Sequence, residues 1–464
     1  MSEQGRKSSS QLSRTMGLGG ATFTLIGCVV GGSIFVLPGE IAATAGPAVI
    51  LSYVIASGFA MLSCVHAIQI SNVFPTSGAN FVSATRVLSP IWGFFLMWML
   101  LPSMSLSVAP LLYGLADYAA KIMPELSGHR HAIAGFTLVA LYLLNISGVK
   151  ATVRAQIVMV MVFVLVLQGF GIIALLHVEP DQFTPFNPNG MGAVGAGIVA
   201  AFFSFSGFNM IISLGGEIKD PRKNVPLSVG FSFLAVLVLY LSVVAAVVGV
   251  VPWDDPAITR AAVAEATERI LPAPYVGVIA VAAILAILTS INALLLAGSR
   301  EIYMLAKSRV LPRPLDYVSQ THDEPVGAIT LLSVLIGLSL LWEHSFMQYA
   351  MLVVVLGSVG GLIGAVTLMA IPYRVPDLYD KAEIRLPKTA LIGIGIVSMI
   401  VSMTVITLGL NAMQLPVIEF VIYLAVGAAY YYFRAWQLKN EGVELRHVLR
   451  SGLYDDSDQA KVDG

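Results

Sequence analysis

Uncharged apolar runs of spanning length recur along the whole chain, separated by short polar punctuation. They cover residues 16–38, 47–74, 91–116, 132–149, 155–176 and 191–216, then 227–252, 275–299, 326–342, 345–373, 389–415 and 416–433. A helix needs about twenty apolar residues to cross a bilayer core, with tolerance from about 17 to 25. The pattern therefore predicts an all-α membrane protein of twelve transmembrane helices. The turn between the last two runs carries no charge and is marked only by Asn411 and Pro416. Glu419 sits near the start of the final run, where an acid can reach the interface.

Two runs are interrupted at comparable places. The first reads Gly27-Cys28-Val29-Val30-Gly31-Gly32-Ser33-Ile34-Phe35, and the sixth reads Phe202-Phe203-Ser204-Phe205-Ser206-Gly207-Phe208-Asn209. An unwound helix frees backbone N–H and C=O groups at membrane depth, which is tolerated only where they line a cavity or meet a ligand. Paired interruptions in two halves point to the binding site of a secondary transporter. The alternative is a packing motif, because Gly and Ser let helices approach closely. The spacing fits a repeat of five helices over 16–177 and five more over 191–373, followed by two further helices over 389–433. Five is odd, so the second copy enters the membrane from the opposite side, and the two broken helices cross antiparallel.

Charge sets the orientation. With the N-terminus inside, alternate connections place 22 of the 26 Lys and Arg residues on the inside, leaving only Lys121, Arg130, Arg260 and Arg269 outside. Both tails, 1–15 and 434–464, are then cytoplasmic. The first fifteen residues are polar, with Arg6, Lys7 and Arg14, and the run after them continues into Pro38, unlike a cleaved signal. The outer connection around 253–274 has the acid–base mix of a short interfacial helix.

Composition agrees with lipid as the main solvent. Of 464 residues, 57% are hydrophobic and 11% charged, against about 25% charged in a soluble domain. A net charge of −1 carries no nucleic-acid signal. Cys28 and Cys64 fall inside apolar runs and form neither metal spacing nor a disulfide framework. No metal or cofactor is expected, and the lipid bilayer is the expected surrounding.

Four motifs in order carry a family resemblance. They are Gly31-Gly32-Ser33-Ile34-Phe35-Val36-Leu37-Pro38-Gly39 and Phe74-Pro75-Thr76-Ser77-Gly78-Ala79-Asn80-Phe81. The third is Phe205-Ser206-Gly207-Phe208 followed by Glu217-Ile218-Lys219-Asp220-Pro221-Arg222-Lys223-Asn224-Val225-Pro226, and the fourth is Ser299-Arg300-Glu301-Ile302-Tyr303-Met304-Leu305-Ala306-Lys307. Over nearly the whole chain the sequence resembles the amino acid–polyamine–organocation superfamily of permeases. The resemblance implies a LeuT-type inverted repeat in a plasma membrane, a bacterial inner membrane being the expected one. It also implies alternating access with an amino acid or related amine as cargo. Two positions depart from the family pattern: Ser33 stands where a third small residue is usually Gly, and Asn209 where relatives often carry an acid.

Resemblance and helix dipole together suggest a site. The N–H groups of Gly32, Ser33 and Ile34 would hold a carboxylate, with Gly31 and Gly32 allowing close backbone approach. The carbonyls of Val29 and Phe205 would take the ammonium. The Ser33 hydroxyl would either add a donor or cap the half-helix. Selectivity would come from Phe202, Phe205, Ser206, Phe208 and Asn209. No charged residue falls in the middle of the first, third, sixth, eighth or tenth run, which favours a neutral amino acid over a polyamine. Phe208 either gates or packs.

Coupling stays open between Na+, H+ and exchange. Proton-coupled relatives resemble one another in a lysine on the fifth helix; this chain has none there, and Phe163 stands near that place. Thr289 and Ser290 with the Val29 carbonyl could offer oxygens to a hard cation, or the two hydroxyls could bond back to their own helix. His66 is a proton relay or makes one interhelical hydrogen bond. Glu217 either forms an inner gate with Arg86 or Arg154 or belongs to a solvated loop. An enzyme is disfavoured: no His-Glu-x-x-His, no Gly-x-x-x-x-Gly-Lys and no buried Asp pair occurs. A sensor or channel on the same fold is the remaining rival.

Overall fold

The computed structural model describes residues 16–441 apart from Ser77, 215–216, Gln320, Asp323, 342–345, Glu383 and 414–416. The tails 1–15 and 442–464, the motif residue Ser77 and the Pro416 turn lie outside these. Seventeen α-helices occupy the described residues. They are α1 Leu18–Val29, α2 Ser33–Ala45, α3 Val49–Val73, α4 Ala79–Val87, α5 Pro90–Ile122 and α6 Arg130–Ile146. Next come α7 Val149–Leu175, α8 Gly190–Phe205, α9 Met210–Ser213, α10 Pro221–Val250, α11 Ile258–Ile270 and α12 Pro274–Lys307. The last are α13 Val326–Ser339, α14 Phe346–Arg374, α15 Pro376–Asp380, α16 Lys388–Met413 and α17 Val417–Asn440.

Eight stretches among the described residues are long and apolar enough to cross a membrane, and one of them, Leu18–Val73, has 56 residues. At 1.5 Å per residue and a core of about 30 Å, that stretch has the length for two passages. α6 and α13 are shorter apolar helices of 17 and 14 residues. Several helix ends differ from the apolar runs, α5 ending at Ile122, α7 starting at Val149 and α10 at Pro221 among them. α12 continues to Lys307, so Arg300 and Glu301 lie inside a helix and are fully buried. A charge marked the end of the run in sequence, but a charge held by partners does not end a helix. α17 continues to Asn440, past residue 433. Beyond the sixth interruption the α-helix lasts only the four residues of α9.

Contacts at the helix ends fix direction. Met16, just before α1, forms a parallel bridge with Ile218, just after α9: its N–H donates to the Glu217 carbonyl at 3.0 Å, and its carbonyl accepts from Lys219 N–H at 2.8 Å. At the other end, the Asn189 amide before α8 donates to the Thr44 carbonyl of α2 at 2.7 Å. So α1 and α2 run away from the 217 end, while α8 and α9 run toward it. Arg300, Glu324, Val310 and Arg434 gather at this 217 end through Arg300–Glu217, Arg300–Glu324, Tyr430–Val310 and Arg434–Arg309 contacts; it is the basic end of the bundle.

α11 is the helix expected in the outer connection, and it seats on α2. A Cβ on Gly39 would fall 1.9 Å from the Ile258 carbonyl oxygen, so only glycine admits this approach. Asp255 anchors its start: the Ala257 N–H and the Arg269 guanidinium hold the Asp255 carboxyl below the ordinary carboxylate range.

Candidate functional site

The two interruptions meet each other. α1 ends because Val30 leaves helical geometry (φ −82°, ψ 82°), and α2 restarts at Ser33 with no side-chain cap. The N–H groups of Gly32, Ser33 and Ile34 take no backbone carbonyl among the described residues, which leaves the positive end of α2 bare. Opposite, α8 tightens into a 3₁₀ turn over Ser206–Asn209 before α9, the kind of mid-helix change that marks a hinge. A Cβ on Gly207 would lie 3.0 Å from the carbonyl carbon and oxygen of Cys28 and from the Cα of Val29.

Tyr240 of α10 fastens the junction. Its hydroxyl proton is shared between the carbonyls of Val29 at 2.8 Å and Ser204 at 3.0 Å, one from each broken segment. Its ring meets Phe205 edge-on at 5.1 Å and Tyr53 at 5.9 Å. Removing the hydroxyl in Tyr240→Phe leaves the Ser204 carbonyl without that partner, a loss of about 1–3 kcal/mol for a buried polar group. The melting temperature of the detergent-purified variant is expected to fall while insertion persists; an unchanged melting temperature would show that the hydroxyl ties nothing.

A cavity of about 170 Å³ opens at the junction, with Cys28, Val29, Gly31, Ser33, Phe202, Ser206, Gly207, Asn209 and Ser290 in its wall. A single water needs about 10–15 Å³ of such space, so a solute on the order of ten heavy atoms fits. Among the described residues, no Asp, Glu, Lys or Arg lines it.

Of the residues singled out from sequence, Val29, Gly31, Ser33, Phe202, Ser206 and Asn209 line this cavity, whereas Gly32, Ile34, Phe205 and Phe208 do not. Phe205 is packed with Tyr53 and Tyr240, and Phe208 is fully buried against Phe233 at 5.6 Å between ring centroids. Phe202, Ser206 and Asn209 fall four and three residues apart on one stripe and Phe208 falls off it, whereas Phe205 shares that spacing but is covered by Tyr53 and Tyr240. The Val29 carbonyl already accepts from Gly31 N–H at 3.0 Å and from Tyr240, so its two lone pairs are taken and it is not free for an ammonium.

Thr289 and Ser290 face the end of α1. The Ser290 hydroxyl reaches the carbonyls of Gly27 at 2.7 Å and Cys28 at 3.3 Å; Thr289 bonds its own helix at Ala286 at 2.7 Å and also reaches Gly27 at 3.3 Å. Four oxygens thus converge, with Gly27 in the place expected of Val29. His66 makes no hydrogen bond to another described residue and lines a neighbouring chamber, so the expected interhelical bond is not formed. Phe163 is fully buried.

Glu217 is fully buried and pairs with the Arg300 guanidinium, which also donates from Nη2 to Glu324 at 2.8 Å and from Nη1 to Ser299 at 2.9 Å. Its ion-pair partner is Arg300, not the Arg86 or Arg154 expected from sequence; Arg154 is exposed at the start of α7. Neither Tyr240 nor Arg300 was singled out as a site residue from sequence.

Comparison with known proteins adds independent findings. A family model described as amino acid permease matches residues 16–440. A branched-chain amino acid permease of Bacillus subtilis is 26% identical over 443 residues, covering 91% of this chain and 93% of the relative. A methylthioribose transporter of the same organism is 29% identical over 326 residues, covering 66% and 69%. A branched-chain amino acid permease of Lactococcus lactis is 24% identical over 379 residues, covering 76% and 79%.

Proposed function

Because the chain belongs to the amino acid permease family, a family of multi-pass membrane carriers and not of enzymes, we propose that it moves a neutral amino acid across a bacterial inner membrane by alternating access. In this reading it has twelve spans in a LeuT-type inverted repeat over 16–177 and 191–373, two further helices, and both termini in the cytoplasm. The observation that carries it is the bare N-terminus of α2 beside a solute-sized cavity whose wall includes Ser33 and Gly207. Unmatched N–H groups and the helix dipole suit a carboxylate. The amide oxygen of Asn209, on the cavity wall, is the ammonium acceptor in place of the Val29 carbonyl. A wall without an acid disfavours a polyamine. The opposed directions of α1–α2 and α8–α9 support the inverted repeat.

The relatives' names include both branched-chain amino acids and methylthioribose, so uptake decides the cargo. Purified protein in liposomes is expected to accumulate labelled neutral amino acids under an imposed ion gradient. A sensor or channel would bind without saturable, exchangeable flux. No uptake under any gradient would end the proposal.

The oxygens of Gly27, Cys28, Thr289 and Ser290 favour sodium as the coupling ion. Ser290→Ala is expected to remove sodium-driven accumulation while leaving exchange of pre-loaded cargo. Equal stimulation by sodium in both proteins would place coupling elsewhere.

A further inference from the structure

A second chamber of about 120 Å³ adjoins the cavity at the breaks, and Ser63, Asn209, Ser358 and Ser402 belong to both walls. It extends between α3, α14 and α16 and reaches Asn80 and Thr367 toward the basic end. α16 lies outside the two five-helix units, yet it supplies Ser398 and Ser402.

The wall has an unusual chemistry for membrane depth. Ser63, His66, Ser358, Ser398 and Ser402 make no hydrogen bond to another described residue, and no described Asp, Glu, Lys or Arg lines the chamber. The imidazole lies against α14: a Cβ on Gly364 would sit 2.9 Å from His66 Cε1, so the ring occupies space at the chamber wall that only glycine leaves open. Hydroxyls and a neutral imidazole each offer both a donor and an acceptor. Polar groups without partners in a low-dielectric interior are costly unless water or a ligand satisfies them. An aliphatic occupant would displace water and satisfy none of them.

We propose that this second chamber receives the distal end of the cargo and selects an uncharged, hydroxyl-bearing group over an aliphatic one. The proposal rests on the reading that a zwitterion is anchored at the breaks, and it names the class of side chain that reaches past Asn209. His66 from α3 and Ser398 from α16 are the two selecting groups found only in the second chamber, so they act on the far end of the cargo and leave its carboxylate and ammonium untouched.

The test uses full-length protein in liposomes with labelled alanine, whose side chain is too short to reach the chamber. Unlabelled hydroxynorvaline and norleucine, equal in length and ending in hydroxyl or methyl, compete for uptake. Hydroxynorvaline is expected to compete about tenfold better, the effect of one satisfied buried hydrogen bond, and His66→Leu combined with Ser398→Ala should abolish or reverse that preference. If the double variant loses alanine uptake, Ser398→Ala alone is read in the same way. Norleucine competing as well as hydroxynorvaline in the unaltered protein would overturn the inference, as would an undiminished preference in the variants. Failure of alanine and every other neutral amino acid to be transported would instead overturn the transport reading beneath it.

Discussion

Gly207→Val is expected to abolish amino acid uptake while leaving the protein inserted in the membrane. The first carbon of the new side chain would lie 3.0 Å from three backbone atoms of Cys28 and Val29. Backbone cannot rotate away as a side-chain tip can, so the broken segments must separate. Overpacking of this kind costs about 1–3 kcal/mol or more, and displacement of a binding group by about 1 Å can cost a hundredfold in rate. The same shift pulls Val29 and Ser204 apart, which breaks the bridge made by Tyr240. Gly32→Val should also abolish uptake, but for a different reason. Its Cβ would meet the side chains of Ile287 at 3.0 Å and Leu111 at 3.1 Å, and the branched chain would stand beside the bare N–H groups. Uptake by Gly207→Val at the unaltered rate would mean that the junction of the breaks is not where cargo is held.

The interruptions were legible in the chain because only small residues let a backbone unwind at membrane depth, and Gly31-Gly32-Ser33 and Ser206-Gly207 are such residues. Which neighbours face the cavity was less legible. A 3₁₀ turn has about three residues per turn instead of 3.6, so the face presented after Ser206 shifts and Phe208 rotates into packing, while Phe205, still in α8, is covered by Tyr53 and Tyr240. Tyr240 left no mark, since a tyrosine inside an apolar run reads as one more lipid-compatible residue until its hydroxyl meets carbonyls from two other helices. Arg300 was hidden for a third reason. A charge at the end of an apolar run reads as a boundary, and its partner Glu217 lies 83 residues away. The fusion of the first two runs into one long stretch, and the short α6 and α13, show why counting crossings by length alone differs from counting runs by charge.

Arg300→Gln is expected to destabilise the protein by about 3–5 kcal/mol, the cost of leaving a buried charge without its partner. The guanidinium and the two carboxylates are all buried, Glu324 being 1% exposed and the others fully enclosed. Arg300 joins three parts of the basic end: α12, which carries it, the segment after α9 through Glu217, and the segment before α13 through Glu324. Nε serves one carboxylate and Nη2 the other, while Nη1 donates to Ser299. A lysine has one compact ammonium and cannot repeat that fork, so Arg300→Lys should be destabilised too. Neutralising the whole group by combining Arg300→Gln with Glu217→Gln and Glu324→Gln removes the uncompensated charges together. That triple variant should recover most of the lost melting temperature, because a pair or triad of buried charges contributes little net stability once its members are replaced together. The comparison of single and triple variants by thermal melting of detergent-purified protein separates charge imbalance from lost packing. If Arg300→Gln melts with the unaltered protein, the triad is not held dry and the basic end is not latched through Arg300; if the triple variant stays as unstable as the single one, packing of the long side chain, and not its charge, is what joins the three segments.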